Sequence, residues 1–157
     1  MKNILISLLL ILSINAWSQE VKVVNFQQLE ERWSTPNDTL YLVNYWATWC
    51  LPCVEELPAF TQVEKEMQGQ KFKMILVSLD FPKHIEGRVI PFLKKNNINS
   101  EVVLLDDDAN VWINTINPNW DGAIPATQLI KNNKKEFHGE ALSYDELKEI
   151  VTNFNIK

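Results

Sequence analysis

The chain has 157 residues, of which 46% are apolar and 22% are charged, a composition that fits one globular domain and excludes a disordered chain. Its net charge of −5 argues against nucleic acid as a partner, and it contains neither a G-x-x-x-x-G-K nor a G-x-G-x-x-G phosphate-binding loop. Its two cysteines, Cys50 and Cys53, are too few for a multi-bridge disulfide scaffold or for a four-thiolate zinc site.

The N-terminal segment has the layout of a secretory signal peptide. Lys2 gives a positive start, residues 4–14 are apolar except for two serines, and Ala16-Trp17-Ser18 offers small residues before a cleavage point. An uncleaved membrane anchor is the alternative. A helix of these eleven residues would be only about 16 Å long, roughly half the thickness of a bilayer core. No cysteine follows the run, which excludes a lipoprotein anchor. We therefore expect residues 1–18 to be a signal peptide and the mature chain to work in the periplasm or elsewhere outside the cytoplasm.

Residues 19–157 are predicted to form one domain in which strands and helices alternate. In chain order, the pattern predicts a strand at 21–26, a helix at 27–33, a strand at 40–45, a helix at 51–67, a strand at 71–79, a helix at 84–97, a strand at 102–105, a helix at 109–116, a hairpin of strands at 126–131 and 135–138, and a last helix capped by Ser143. Pro91 must start, kink or break the helix at 84–97. This alternation indicates an α/β sheet with helices on both faces.

The cysteine pair lies between a predicted buried strand and a predicted helix. The helix begins near Leu51 or Pro52, since proline suits a first helical turn, so Cys50 is placed at the helix N-terminus. Unpaired N–H groups and the helix dipole favour a thiolate there, which makes Cys50 a nucleophile near neutral pH. Cys53 is one turn further along and more buried. We expect Cys50 to attack the disulfide of a partner and Cys53 to attack Cys50, which releases the reduced partner.

Two structural roles for the pair compete with this redox role. A purely structural disulfide is disfavoured because a loop of about four residues constrains little entropy of the unfolded chain. Half of a zinc site would require His84 and His138 as further ligands, but these come from distant elements and lack ligand-like spacing. The spacing and context of the cysteines favour redox chemistry.

Two motifs resemble a known family. Trp46-Ala47-Thr48-Trp49-Cys50-Leu51-Pro52-Cys53 resembles the active-site motif of the thioredoxin superfamily, and its continuation Glu55-Glu56-Leu57-Pro58 is similar to the TlpA/ResA group of bacterial extracytoplasmic thiol–disulfide oxidoreductases. Gly122-Ala123-Ile124-Pro125-Ala126-Thr127 is similar to that group's cis-proline loop, and the resemblance covers most of residues 20–157. It implies a thioredoxin fold, which is an α/β fold with a central mixed sheet flanked by helices. Residues 21–33 would then be an N-terminal extension, and residues 81–105 a helix–strand insert.

The resemblance also implies which residues meet a substrate. Pro125 occupies the cis-proline position, and a cis bond would turn the backbone of Ile124 outward beside the nucleophile, where an extended substrate segment can pair with it as one more strand. A proline that merely starts a strand is the alternative. The residues expected to contact substrate are Trp49, Leu51, Pro52 and Ile124.

Glu56 is a candidate for proton transfer because its position three residues after Cys53 puts both side chains on one helix face. Partial burial would raise its pKa and suit it to exchange a proton with Cys53. The resemblance implies the same, since this glutamate position belongs to the active site of the TlpA/ResA group; a solvated surface acid is the alternative. Many cytoplasmic thioredoxins have an aspartate six residues before the first cysteine. Here that residue is Asn44, which cannot ionise, so proton handling falls more heavily on Glu56.

The predicted function is that of a monomeric, exported thiol–disulfide oxidoreductase that uses no cofactor and no metal. The resemblance implies disulfide-containing protein substrates, a membrane thiol–disulfide electron donor, and a role in cytochrome c maturation or in general disulfide reduction. Leu51-Pro52 between the cysteines includes no histidine, unlike strongly oxidising members, so we expect a reductant.

Three other functions stay open on the sequence alone. A thiol peroxidase of the peroxiredoxin type needs P-x-x-x-[T/S]-x-x-C, but Val43 and Ala47 stand at the proline and Thr/Ser positions. A non-enzymatic copper carrier would combine the dithiol with a histidine such as His138. In a thiol-binding module, the pair would not turn over at all.

Overall fold

The computed structural model describes residues 20–156, so the signal peptide predicted at residues 1–18 lies outside the described residues. The strands are β1 (Lys22–Val24), β2 (Leu40–Trp46), β3 (Phe72–Ser78), β4 (Glu101–Leu105), β5 (Ala126–Lys131) and β6 (Lys134–His138). The helices are α1 (Phe26–Glu30), α2 (Leu51–Glu66), α3 (Ile90–Lys95), α4 (Ala109–Ile116) and α5 (Tyr144–Ile156).

The strands of the described range form one mixed sheet in the order β1-β4-β3-β2-β5-β6. β1, β4, β3 and β2 run parallel to one another, whereas β5 pairs antiparallel with both β2 and β6. β2 lies between β3 and β5, and every one of its residues is buried. The loop that leaves β2 therefore emerges at the middle of the sheet edge, where a site is supported from both sides.

Helices cover both faces of this sheet, as the sequence predicts. On one face, apolar residues of α2, α3 and α5 form a core with β2 and β3, and on the other face α1 and α4 form a second core. Alternate residues of β2 divide between the two layers: Leu42 and Trp46 join the α2 layer, and Val43 and Tyr45 join the other. By this alternation Asn44 belongs to the row that faces α2, so an amide interrupts an apolar row.

The helix predicted at 84–97 is interrupted, as Pro91 requires. A 3-10 turn (Pro82–His84) and a π-helical turn (Ile85–Val89) precede α3. Pro91 lies in the first turn of α3, directly after the π-helical turn, and its lack of an N–H prevents a regular α-helix from running through this point. The N–H of Ile90 bonds to the carbonyl of Ile85, five residues back, which accommodates the transition between the two helical forms.

Asn25 ends β1 earlier than predicted and caps α1, which begins one residue before its predicted start and ends at Glu30, where the chain continues as a turn to Trp33. Its side chain accepts a hydrogen bond from the N–H of Gln28, and the Gln28 side chain accepts one from the N–H of Asn25. The predicted cap of α5 is confirmed, since the Glu146 carboxylate accepts from both the N–H and the hydroxyl of Ser143. Among residues 20–156, no helix has the length and apolar character needed to cross a bilayer.

Candidate active site

Cys50 and Cys53 are joined by a disulfide at the N-terminus of α2. Cys50 is the N-cap residue, and its sulfur accepts a hydrogen bond from the N–H of Cys53 at 3.3 Å. Pro52 lies in the first turn, as predicted, where an N–H would have no helical partner. Cys50 is 7% exposed and Cys53 is fully buried, so Cys50 is the more accessible of the two cysteines. When the pair is reduced, the same N–H and the helix dipole favour a thiolate at Cys50.

The loop before β5 approaches Cys50 from the other side. The Ile124–Pro125 peptide bond is cis, as the family resemblance implies, and the carbonyl oxygen of Ile124 lies 3.6 Å from the sulfur of Cys50. The indole of Trp120 donates to the carbonyl of Ala123 at 2.7 Å and holds the loop closed. The structure thus brings together both segments that the sequence analysis assigned to the site.

Gly122 fixes the shape of this loop. Its φ of +88° lies in the left-handed region, and a Cβ at this position would lie 2.7 Å from Cδ1 of Ile113 on α4. Below the loop, Trp120 packs against the rings of Tyr45, Trp112 and Phe137. The loop is therefore supported by an aromatic cluster on the sheet face that carries α1 and α4.

Glu56 is buried, with 4% of its surface exposed, so it is not the solvated surface acid of the alternative reading. Its Oε1 accepts a hydrogen bond from Nδ2 of Asn44 at 2.8 Å, and its Oε2 accepts one from the N–H of Leu142 at 2.9 Å. Burial raises the pKa of Glu56 to about 7, although both hydrogen bonds act in the opposite direction. A carboxyl group with a pKa near neutrality is suited to take up and release protons.

A second buried carboxylate, Asp80, fixes the loop between β2 and α2. It accepts from the N–H of Thr48 at 2.9 Å, from the Thr48 hydroxyl at 2.6 Å and from the hydroxyl of Ser78 at 3.0 Å. The sequence analysis missed Asp80. Its position in the sequence could have identified it. Asp80 is the first acid after β3, which is parallel to β2, and adjacent parallel strands end at the same edge of a sheet.

Exposed apolar side chains flank the cysteines in sequence. Trp49 is 58% exposed and Leu51 is 67% exposed, and Pro52 is exposed as well. Phe81, which follows Asp80, is 65% exposed. Large exposed apolar groups of this kind are suited to contact a partner. The role of Trp49, Leu51, Pro52 and Ile124 in substrate contact stays a prediction.

The histidines that a metal site would need do not join the dithiol. His138 pairs with Glu136 on β6 at 3.0 Å, and His84 packs edge-on against Phe81. In the part of the chain that the structure describes, no three His, Cys, Asp or Glu side chains gather as a ligand set.

The sequence also matches a known family over most of its length. The model of the AhpC/TSA family matches residues 15–135. The chain belongs to the AhpC/TSA family. Its fold within this family is thioredoxin-like, with a mixed sheet between helices.

Two curated relatives are similar to parts of the chain. The thiol–disulfide oxidoreductase ResA of Geobacillus thermodenitrificans is 28% identical over 93 residues, which cover 59% of this chain and 49% of ResA. The thioredoxin-like protein YneN of Bacillus subtilis is 37% identical over 51 residues, which cover 32% of this chain and 29% of YneN. The chain thus matches less than half the length of these relatives.

The solved structures support the fold. A thioredoxin-related protein from Neisseria meningitidis serogroup B superimposes with a TM-score of 0.65 at 22% sequence identity, covering 79% of this chain and 90% of that one. At this identity the likeness concerns the fold, and it agrees with the predicted mixed sheet flanked by helices.

The raised pKa of Glu56 predicts how stability depends on pH. Between pH 4.5, the ordinary pKa, and about 7, the folded protein keeps a proton on Glu56 that the unfolded chain releases. The free energy of unfolding should therefore fall as pH rises through this window, by about 3 kcal/mol in total, and should change no further from this cause above it. Urea denaturation of the oxidised protein at several pH values measures the effect.

The variant Glu56→Gln should lose this part of the pH dependence, because the amide does not titrate. Glu55→Gln is the matched control, since Glu55 is exposed on the same helix and should leave the slope unchanged. A Glu56→Gln variant that keeps the wild-type slope would show that Glu56 is not the group holding the proton.

Proposed function

We propose that this chain is a thiol–disulfide oxidoreductase that exchanges its Cys50–Cys53 disulfide with disulfides of protein substrates. The observation that carries the proposal is the disulfide itself: it lies at a helix N-terminus, Cys50 is more exposed than the fully buried Cys53, and a cis-proline loop faces Cys50. The similarity to ResA, which is named a thiol–disulfide oxidoreductase, supports the same activity.

In the reducing direction, the Cys50 thiolate attacks one sulfur of a substrate disulfide. A Cys50–substrate disulfide forms, and the second substrate sulfur leaves as a thiolate. Cys53 then loses its proton to Glu56 and attacks the sulfur of Cys50, so the intramolecular disulfide forms and the first substrate sulfur leaves. Two electrons pass from the enzyme to the substrate, which gains two thiols once protons are taken up from the solution.

The substrate segment would lie between the two loops of the site. The backbone of Ile124 would pair with an extended segment, while Trp49, Leu51 and Pro52 would contact its side chains. Pro125 would hold the Ile124 carbonyl toward Cys50, where it lies 3.6 Å from the sulfur in the oxidised form.

We further propose that the protein is exported, works as a monomeric reductant and is recharged by a membrane thiol–disulfide electron donor, with cytochrome c maturation or general disulfide reduction as its role. Export is supported by the apolar run at residues 4–14 with its positive start and small-residue cleavage point. The reducing direction is supported by Leu51-Pro52 between the cysteines and by a buried acid, Glu56, that holds a proton near neutrality.

Trapping with cysteine variants tests the exchange mechanism. Cys53→Ser should accumulate a mixed disulfide with a reducible protein such as insulin, because the resolving thiol is missing, and Cys50→Ser should accumulate none. Non-reducing electrophoresis with mass mapping of the bridge measures both. Trapping through Cys53 in the Cys50→Ser variant, or no trapping in either, would overturn the assigned roles. Wild-type protein that consumes hydrogen peroxide faster than it reduces insulin would favour the peroxidase alternative.

The reduction potential tests the direction. Equilibration with glutathione buffers should give a value closer to that of thioredoxin, about −270 mV, than to that of the strong oxidant DsbA, about −120 mV. A value near −120 mV would contradict the reductant proposal while leaving disulfide exchange intact.

A further inference from the structure

The amide of Asn44 has an unequal set of hydrogen bonds. Its Nδ2 donates to Oε1 of Glu56 at 2.8 Å and to the hydroxyl oxygen of Thr127 on β5 at 3.2 Å. Its Oδ1 is buried and has no hydrogen-bond partner among the described residues. Buried polar groups in folded proteins are nearly always paired, so an orphaned acceptor beside a proton-holding acid calls for an explanation.

The position of a proton on Glu56 is constrained by Leu142. The backbone N–H of Leu142 can only donate, so Oε2 must remain an acceptor whether Glu56 is ionised or not. Because the carbonyl oxygen of a carboxylic acid is a better acceptor than its hydroxyl oxygen, this bond favours a proton on Oε1, the atom that faces Asn44. In the present orientation of the amide, Nδ2 of Asn44 offers no acceptor to an O–H on Oε1.

We propose that Asn44 is a positioning residue whose carboxamide reverses when Glu56 gains or loses its proton. Toward the carboxylate, Nδ2 donates, as the structure shows; toward the carboxylic acid, Oδ1 accepts from the O–H on Oε1. Thr127 suits both orientations, because its hydroxyl accepts from Nδ2 in the first and donates to Oδ1 in the second. The amide thereby keeps Glu56 hydrogen-bonded through Oε1 in both protonation states.

Of the groups that contact the Glu56 carboxyl, the Asn44 amide is the one that can change its hydrogen-bond role when Glu56 gains or loses a proton. The described contacts to its carboxyl group come from Asn44 on β2 and from the backbone of Leu142 before α5, and neither of these titrates. On α2 itself, the neighbouring Glu55 is exposed, and Cys53, one turn toward the helix N-terminus, holds no proton while it is in the disulfide. Burial and these two hydrogen bonds account for the shifted pKa of Glu56, with no charged neighbour contributing.

The role of this reversal rests on the proposed function, in which Glu56 exchanges a proton with Cys53. A buried acid that lost its hydrogen bond on each proton transfer would resist one of its two states. The reversing amide gives Oε1 a hydrogen-bond partner in both states, whichever amide atom is turned away from Glu56.

Nuclear Overhauser effects between the Asn44 side-chain amide hydrogens and Hβ of Thr127 test the proposal in the oxidised wild-type protein. They should be strong at pH 8.5, where Glu56 is ionised, and weaken severalfold at pH 5.5, with a midpoint that follows the carboxyl carbon resonance of Glu56. Effects of equal strength at both pH values would overturn the proposal. No substrate is involved, so the result is independent of whether the protein exchanges disulfides.

Glu56→Gln supplies a second measurement. The N–H of Leu142 must face the amide oxygen of the new glutamine, so its NH2 group faces Asn44, and Asn44 should present Oδ1 at every pH. The Asn44–Thr127 effects should therefore be weak at both pH values. Glu64→Gln is the matched control, because Glu64 is a partly buried acid on the same helix that bonds to Ser100 instead, and it should keep the wild-type pH dependence. Strong effects in Glu56→Gln would contradict the reversal, and the wild-type titration decides alone if that variant does not fold.

Discussion

The site depends on one hydrogen bond, from the N–H of Cys53 to the sulfur of Cys50. It exists because α2 begins directly after a loop from the central strand, so the free N–H groups of its first turn meet the sulfur rather than water. The same geometry places the second sulfur one turn deeper, inside the core. Position on the helix therefore gives the sulfur of Cys50 a backbone hydrogen bond and buries Cys53. The cis-proline loop and the Asp80 hydrogen bonds hold the two sides of this arrangement in place.

Burial of the acid Glu56 on α2 is unfavourable for its ionised form. Removing the Glu56 carboxylate from water destabilises its charged form, and donors from Asn44 and Leu142 offset only part of that cost. The group is left close to balance between its two protonation states at neutral pH. This balance is useful only if proton transfer accompanies electron transfer, as it does when a buried thiol must become a thiolate. Asn44 interrupts the apolar row of β2 because it supplies a hydrogen-bond donor to the buried Glu56.

Much of the site could be predicted from the sequence because its signals are local. The cysteine spacing between a strand and a helix located the pair, the interval from Cys53 to Glu56 predicted a shared face, and Pro91 predicted the break before α3. The rest could not be predicted, because it depends on contacts distant in sequence. Asp80 bonds to Thr48 across 32 positions, and Leu142 contributes only its backbone N–H, which carries no signature in the side chain. The cis bond before Pro125 was expected from the family resemblance alone, since the residues themselves fit a trans proline equally well.

The central claim is that the fold assigns attack to Cys50 and resolution to Cys53. The most direct test is to reduce the protein, expose it to iodoacetamide over a range of pH, and follow the modification of each cysteine by mass spectrometry. We expect Cys50 to react at least tenfold faster than Cys53, with a rate profile whose midpoint lies below the ordinary thiol pKa of about 8.5. Equal rates at the two positions, or faster reaction at Cys53, would contradict it.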